Sequence, residues 1–211
     1  MLELREVTKM YNGQPIIDRL SIKIAANEVT GLLGPSGCGK STILKIFAGL
    51  VQPDAGTVKR GSDCIGFVFQ EHRLIPWKTV AENVCFSLRA SGLSKKEALH
   101  QARQILEKVE LAACINQYPS QLSGGMCQRV SIARALAIKP DILLLDEPFS
   151  SLDLELKNNL LVFLRSIVRE HPDMTILYVT HAPSELTGLA RFIYQMSSGG
   201  QLKKTSAARA W

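Results

Sequence analysis

The nine residues GPSGCGKST, Gly34 to Thr42, admit few structures. They comprise a glycine, four residues, Gly39, Lys40 and the hydroxyl of Ser41, set between the strand-like Val29 to Leu33 and a helical run, Ser41 to Leu50. Glycines at Gly34, Gly37 and Gly39 let the backbone turn so that its amides converge on an anion, and the helix that follows adds its positive pole. The pattern predicts that Gly34, Pro35, Ser36, Gly37, Cys38, Gly39, Lys40, Ser41 and Thr42 cradle the phosphates of a nucleotide. Lys40 would reach the β- and γ-phosphates. Ser41 would be a ligand of Mg²⁺, a hard ion that accepts a small hydroxyl beside phosphate oxygens and water. The other reading is a tight strand-to-helix turn with a capping serine, and the full pattern in its setting favours phosphate.

A second run of the same character, LSGGM at Leu122 to Met126, opens another helix. One nucleotide needs one cradle, so the second asks for a separate explanation.

Composition narrows the class. At 211 residues the chain can bury one sizeable core with an inserted lobe. No apolar run approaches the roughly 18 to 20 residues that span a bilayer, and MLELREVTK is not a signal peptide, which predicts a chain that stays in the cytoplasm. Five cysteines, Cys38, Cys64, Cys85, Cys114 and Cys127, lack CxxC spacing and read as reduced thiols. The net charge of +6 is spread along the chain rather than clustered, so no nucleic-acid partner is expected.

Along the chain, Leu2, Leu4 and Val7, a turn at Asn12-Gly13, and Leu20, Ile22 and Ile24 predict a β-hairpin leading into the core. Pro53 to Gly56 reads as a turn, with short strands near Thr57 to Lys59 and Ile65 to Phe69. Helical spacing then takes over, from Val80, Val84 and Leu88 through a capping box at Ser94 and Glu97 to the helix that LSGGM opens. Asp141 to Asp146, DILLLD, is a continuous apolar strand of the kind buried on both faces of a parallel sheet. A long helix with Leu156, Leu160, Phe163, Leu164 and Ile167 on one face stops at His171-Pro172, and Met174 to Thr180 is another buried strand. Phe192 to Leu202 reads as strand, Ser-Ser-Gly-Gly turn and strand. The expected fold is α/β: a P-loop nucleotide-hydrolase core with a mixed, mainly parallel sheet, an N-terminal antiparallel β subdomain and an inserted helical subdomain. The expected division is one domain, with core 1–70 and 138–211 and the insertion at about 71–137.

Parallel α/β sheets bind ligands at the carboxyl ends of their strands, and several polar residues fall there. Asp146 can hold the Mg²⁺ shell, and Glu147 can polarise a water lined up behind the γ-phosphate. Gln70 and His181 also follow predicted strands. Singly, each would be an edge residue. With the other motifs, Gln70 is placed at the metal shell or attacking water, and His181 at the γ-phosphate.

With GPSGCGKST, Gln70, LSGGM, LLLDEP, SSLD and His181 in this order, the chain resembles the ATP-binding cassette (ABC) ATPases over essentially its whole length. The resemblance implies ATP and Mg²⁺ as cofactors and a head-to-tail homodimer, or a pair of related ATPase subunits. Ser123, Gly124, Gly125 and Met126 of one chain would then cap the γ-phosphate held by the other, which accounts for the second cradle. It further implies that Tyr11 stacks on adenine, although a turn-flanking aromatic looks the same, and that Ser150, Ser151, Leu152 and Asp153 communicate across the dimer. Gln70 would sense the membrane partner as well.

Among these cassettes the chain is similar to import ATPases of the nitrate, sulfonate and taurine group, with thiamine precursors a related cargo. FVFQEHRLIPWKTVAENV at Phe67 to Val84 and YPSQLSGGMCQRVSIARAL at Tyr118 to Leu136 carry that likeness. It implies transmembrane permease subunits as partners, a solute-binding protein as an indirect one, and a peripheral place on the cytoplasmic face of the membrane. Arg73, Leu74, Pro76 and Trp77 fall where the family receives a coupling helix, and Trp77 fits either that socket or the core of the helical lobe. Met126 and Cys127 depart from the family pattern in the signature, which removes polar groups near the expected dimer face. Ala182 replaces the usual acidic residue after His181, a change that bears on the packing of the tail. The alternatives are a non-transport cassette in DNA maintenance or translation, and a small-molecule kinase. The first lacks its coiled-coil insertion or second cassette here, and a kinase needs no LSGG.

Overall fold

The computed structural model describes residues 1–150, 152–197 and 202–206. Ser151 and residues 198–200 of the expected Ser-Ser-Gly-Gly turn lie outside the described residues.

Strands β1 (Leu2–Tyr11) and β2 (Gln14–Ile24) form the hairpin, closed by the two-residue turn at Asn12 and Gly13. Its strands run longer than alternation alone predicts, because register shifts between Leu4 and Met10 interrupt the period of two. Strand β3 (Val29–Leu33) leads into helix α1 (Lys40–Phe47). Strand β4 (Ala55–Arg60) begins inside the segment read as a turn and pairs antiparallel with β1, giving a three-stranded sheet in the order β2-β1-β4.

The second sheet holds six strands. It comprises β5 (Ile65–Val68), β6 (Ile142–Asp146), β7 (Thr175–Thr180), β8 (Phe192–Met196) and β9 (Leu202–Ser206) together with β3, in the order β5-β6-β7-β3-β8-β9. All its pairings are parallel except β8 with β9. Helices α2 (Val80–Ala90), α3 (Lys95–Lys108) and α4 (Gly124–Ala137) lie between β5 and β6, and α5 (Leu154–Glu170) follows β6.

The apolar strands divide their side chains between two cores. Leu144, Leu177 and Val179 face the antiparallel sheet and α1, where Leu4, Ile22, Ile43 and Phe47 are buried. Leu143, Leu145 and Ile176 face the other way, onto Leu160, Leu164 and Ile167 of α5 and Ile132 of α4. Both faces of β6 and β7 are therefore covered, which is why DILLLD carries no polar alternation. Helices α2 to α4 close on a third cluster around Val84, Leu88, Leu106 and Val130. Ser94 and Glu97 form their capping box, and Thr79 with Glu82 forms a second at the start of α2, each contributing about 1 kcal/mol. All five cysteines are free. Among the described residues no helix is long and apolar enough to cross a membrane.

Candidate functional site

Four neighbouring parallel strands place their carboxyl ends on one edge of the sheet. Val68 pairs with Leu145, Asp146 with Val179, and Thr180 with Leu33. The residues one or two positions further on, Gly34, Gln70, Glu147 and His181, are thereby delivered to the same edge by pairing alone. A cleft of about 410 Å³ opens there, lined by Ser41, Lys45, Phe69, Gln70, His72, Asp146 and Ser150 among others.

The phosphate loop is shaped for close approach. Gly39 has φ 102 and caps α1, and a Cβ on it would come within 3.0 Å of the Ile16 carbonyl, so glycine is required on both counts. Lys40, only 4% exposed, curls back to donate to the carbonyls of Gly34 (2.9 Å) and Pro35 (2.8 Å). Cys38 is buried inside the loop, whereas Ser36 is exposed.

At the start of α1 the Ser41 hydroxyl donates to Asp146 Oδ1 at 2.8 Å. Burial pushes the Asp146 carboxyl up, against the Ser41 hydrogen bond and the nearby charge of Lys45, which pull it down. A cation at this point would favour the carboxylate. Among the described residues no group of three or more His, Cys, Asp or Glu could hold a metal unaided. A hydroxyl and one carboxylate, with the Gln70 amide lining the same cleft, fit an ion such as Mg²⁺ that takes one or two protein oxygens and completes its shell with phosphate and water.

Glu147 stands next to this pair. Its backbone is left-handed, φ 43, an uncommon conformation for a residue with a side chain, and Pro148 follows it directly. The amide of Glu147 still donates to Val179 at 2.9 Å, so β6 is extended by one bond before the chain turns. One carboxylate oxygen lies 3.8 Å from Lys40 Nζ, and the other 2.9 Å from His181 Nδ1. With Nδ1 engaged by the carboxylate, Nε2 of the half-exposed His181 is the atom left to meet a ligand.

LSGGM behaves differently. Ser123 is the N-cap of α4, its hydroxyl accepting from the Met126 amide at 3.3 Å. Gly125 is buried where a Cβ would run into Leu156 of α5, so its bareness serves packing. Gly124 is exposed, with nothing within 4 Å of where its Cβ would be. None of the three lines the cleft. Helices α1 and α4 nevertheless share one property. Both lack an acidic residue in the first turn, whereas α2, α3 and α5 begin with Glu82, Glu97 and Glu155. Their positive poles therefore carry no built-in acidic counter-charge.

The remaining residues are distributed around these features. Tyr11 ends β1 and is exposed, with Lys9 Nζ 5.6 Å from its ring centre, and it does not line the cleft. Ser150 lines the cleft, Leu152 packs on the core below, and Asp153 caps α5 by accepting from the Leu156 amide. Cys127 is buried and donates weakly to the Pro119 carbonyl, so its departure from the family pattern falls inside the fold. Trp77 is 75% exposed, which corrects the reading of it as lobe core. Its loop is held by Asn83, fully buried, whose amide donates to Ile75, Lys78 and Thr79 and accepts from the Ile75 amide. Sequence reasoning did not reach Asn83, nor the buried Glu185 beside the His181 turn. Asn83 stood one residue from the capping Glu82 in a run already read as helix, and a polar residue there gave no sign of burial.

Known proteins resemble this chain in sequence and in fold. Residues 17–150 match the family model described as ABC transporter. A spermidine/putrescine import ATP-binding protein of Nitrosospira multiformis is 39% identical over 94% of this chain and 57% of its own length. An aliphatic sulfonates import ATP-binding protein of Pseudomonas aeruginosa is 43% identical over 90% of this chain and 79% of its own length. The chain thus spans little more than half of the polyamine relative. The dimeric, post-hydrolysis structure of the ATP-binding cassette MJ0796 bound to ADP and Pi superposes with a TM-score of 0.89 at 31% identity, covering all of both chains. The family match takes in more than half of the sequence, and the solved cassette superposes over all of it. On both grounds the chain belongs to the ABC transporter family.

Proposed function

We propose that this chain binds and hydrolyses ATP with Mg²⁺ as one half of a head-to-tail pair, and that the pair energises a membrane importer. The observation that carries the hydrolytic part is Glu147, held between Lys40 and His181 beside the Ser41–Asp146 pair. The chain acts as one ATPase domain, with core 1–70 and 138–211 and the helical insertion at about 71–137.

In this reading Lys40 exchanges the carbonyls of Gly34 and Pro35 for β- and γ-phosphate oxygens, and the amides of Gly34 to Thr42 surround the same groups. Glu147 polarises a water in line with the γ-phosphate. Nε2 of His181 meets a γ-phosphate oxygen. Ser41, Asp146 and Gln70 would hold Mg²⁺, which when bound neutralises charge on the phosphate oxygens. Tyr11 stacks on the adenine from outside the cleft. The amides at Ser123, Gly124, Gly125 and Met126 serve the nucleotide of the partner chain, with Ser150, Ser151, Leu152 and Asp153 at the same seam. What favours that sharing is the bare pole of α4 standing outside its own cleft.

Ser123→Arg is the experiment for the shared site. Nucleotide binding by the monomer should be retained, because Ser123 is not among the cleft-lining residues, while the ATP-dependent dimer should be lost. Sedimentation that still shows the dimer would refute the shared arrangement.

The pair is expected at the cytoplasmic face of the membrane, bound to permease subunits and indirectly to a solute-binding protein. Relatives are named for polyamine and sulfonate import, so they share import and differ in cargo. Nitrate, sulfonate, taurine or a thiamine precursor is the cargo class proposed here. The coupling surface is the groove between β5 and α2, which is lined by Phe67, Phe69, Ile75 and Phe86 among others, with exposed Trp77 two residues after Ile75. Trp77→Ala should lower transport about tenfold while basal ATPase stays within about twofold, as removal of an aromatic anchor from an interface does. Full transport by that variant would rule out the socket.

A further inference from the structure

Glu185 is the most buried carboxylate outside the cleft, 2% exposed, and stands in the short turn Pro183–Leu186 that follows His181. A buried charge is retained only where its hydrogen-bonding capacity is met. Three side chains meet it. Lys157, in the first turn of α5, reaches Oε1 at 2.8 Å. The hydroxyls of Tyr178 and Thr180 each donate to Oε2 at 2.7 Å. Thr180 Oγ1 in turn accepts from the Ala182 amide at 3.0 Å, so one hydroxyl ties together the residues on either side of His181. Tyr178 stacks edge-on against Phe149, two residues after Glu147. Leu186, next to Glu185, packs against Gly31 of β3, the strand that runs into the phosphate loop.

We propose that Glu185 is a positioning residue for His181. Its carboxylate fixes the turn on which the imidazole stands, and through Lys157 it locks that turn to the start of α5, directly after the 150–153 segment. His181 is half exposed and bonded by one ring nitrogen to Glu147, so its aim depends on the backbone beneath it. The proposal rests on the reading of His181 as a γ-phosphate contact.

A double-mutant cycle on the full chain tests it, with kcat and KM for MgATP read separately. E185Q keeps the shape and removes the charge. It should lower kcat about tenfold with KM within about twofold, a loss confined to the turnover step. H181A should be slower still, and E185Q/H181A no slower than H181A, because Glu185 then has nothing left to aim. T180V, close in shape to threonine, carries the same cycle should E185Q fail to fold. Losses that multiply in the double variant overturn the proposal, as does wild-type kcat in E185Q and T180V while H181A is slow. Wild-type turnover in H181A marks a different failure: it removes the role of His181 itself, and the proposal with it.

Discussion

Glu147→Gln is expected to bind ATP as the parent chain does, to hydrolyse it about a hundredfold or more slowly, and to accumulate as an ATP-bound dimer. The amide oxygen of glutamine can still accept from His181 Nδ1, so the local hydrogen bond survives the change. What is lost is the negative charge that draws a proton from the attacking water. The same change removes one anion from beside the γ-phosphate, which favours the bound state. Binding and turnover should therefore separate, and single-turnover hydrolysis together with sedimentation in ATP would show it. Normal turnover would sink the assignment of Glu147 as base.

Lys40→Ala is expected to lose nucleotide binding or reduce ATPase by about a hundredfold, since fixed positive charge at a transferring phosphoryl group is the largest electrostatic contribution to such a site. Removing Lys40 also acts on the chain itself. The carbonyls of Gly34 and Pro35 lose their donor, at a cost of about 1–3 kcal/mol if no other donor replaces it, and Glu147 loses a cation 3.8 Å away. Thermal unfolding with and without MgATP distinguishes the two consequences. The parent should gain melting temperature with nucleotide and the variant should not. Unchanged ATPase would remove Lys40 from the reaction.

Sequence was informative where function and fold are written in neighbouring residues. The phosphate loop, the DILLLD strand and the Ser94–Glu97 capping box each need only a short window, and each formed as its local chemistry dictates. Long-range pairing was less legible. Ala55 and Gly56 have turn-forming chemistry, yet they enter β4 because β1, more than forty residues earlier, offers a free edge. Trp77 was ambiguous because exposure is decided by the Asn83 hub, whose hydrogen bonds go to backbone atoms and so leave no pattern in side chains. The left-handed backbone of Glu147 and the burial of Glu185 are likewise products of tertiary packing. The shared edge that gathers Gln70, Glu147 and His181 follows from strand order, and only its ingredients could be read in advance.

The bare N-termini of α1 and α4 have a further consequence for the proposed pair. A carboxylate built into either first turn would neutralise that pole for good, and two chains could then settle face to face at any time. Left bare, on chains that each carry a net charge of +6, the poles repel. In the proposed pair the nucleotide would be the counter-ion that permits contact. Cleaving the terminal phosphate breaks the covalent bridge but leaves its charge between the poles as ADP and Pi, the state in which the related cassette is dimeric, and that charge is withdrawn only when Pi leaves. The closed form of the proposed pair would then end when inorganic phosphate departs, not when the phosphoanhydride bond breaks.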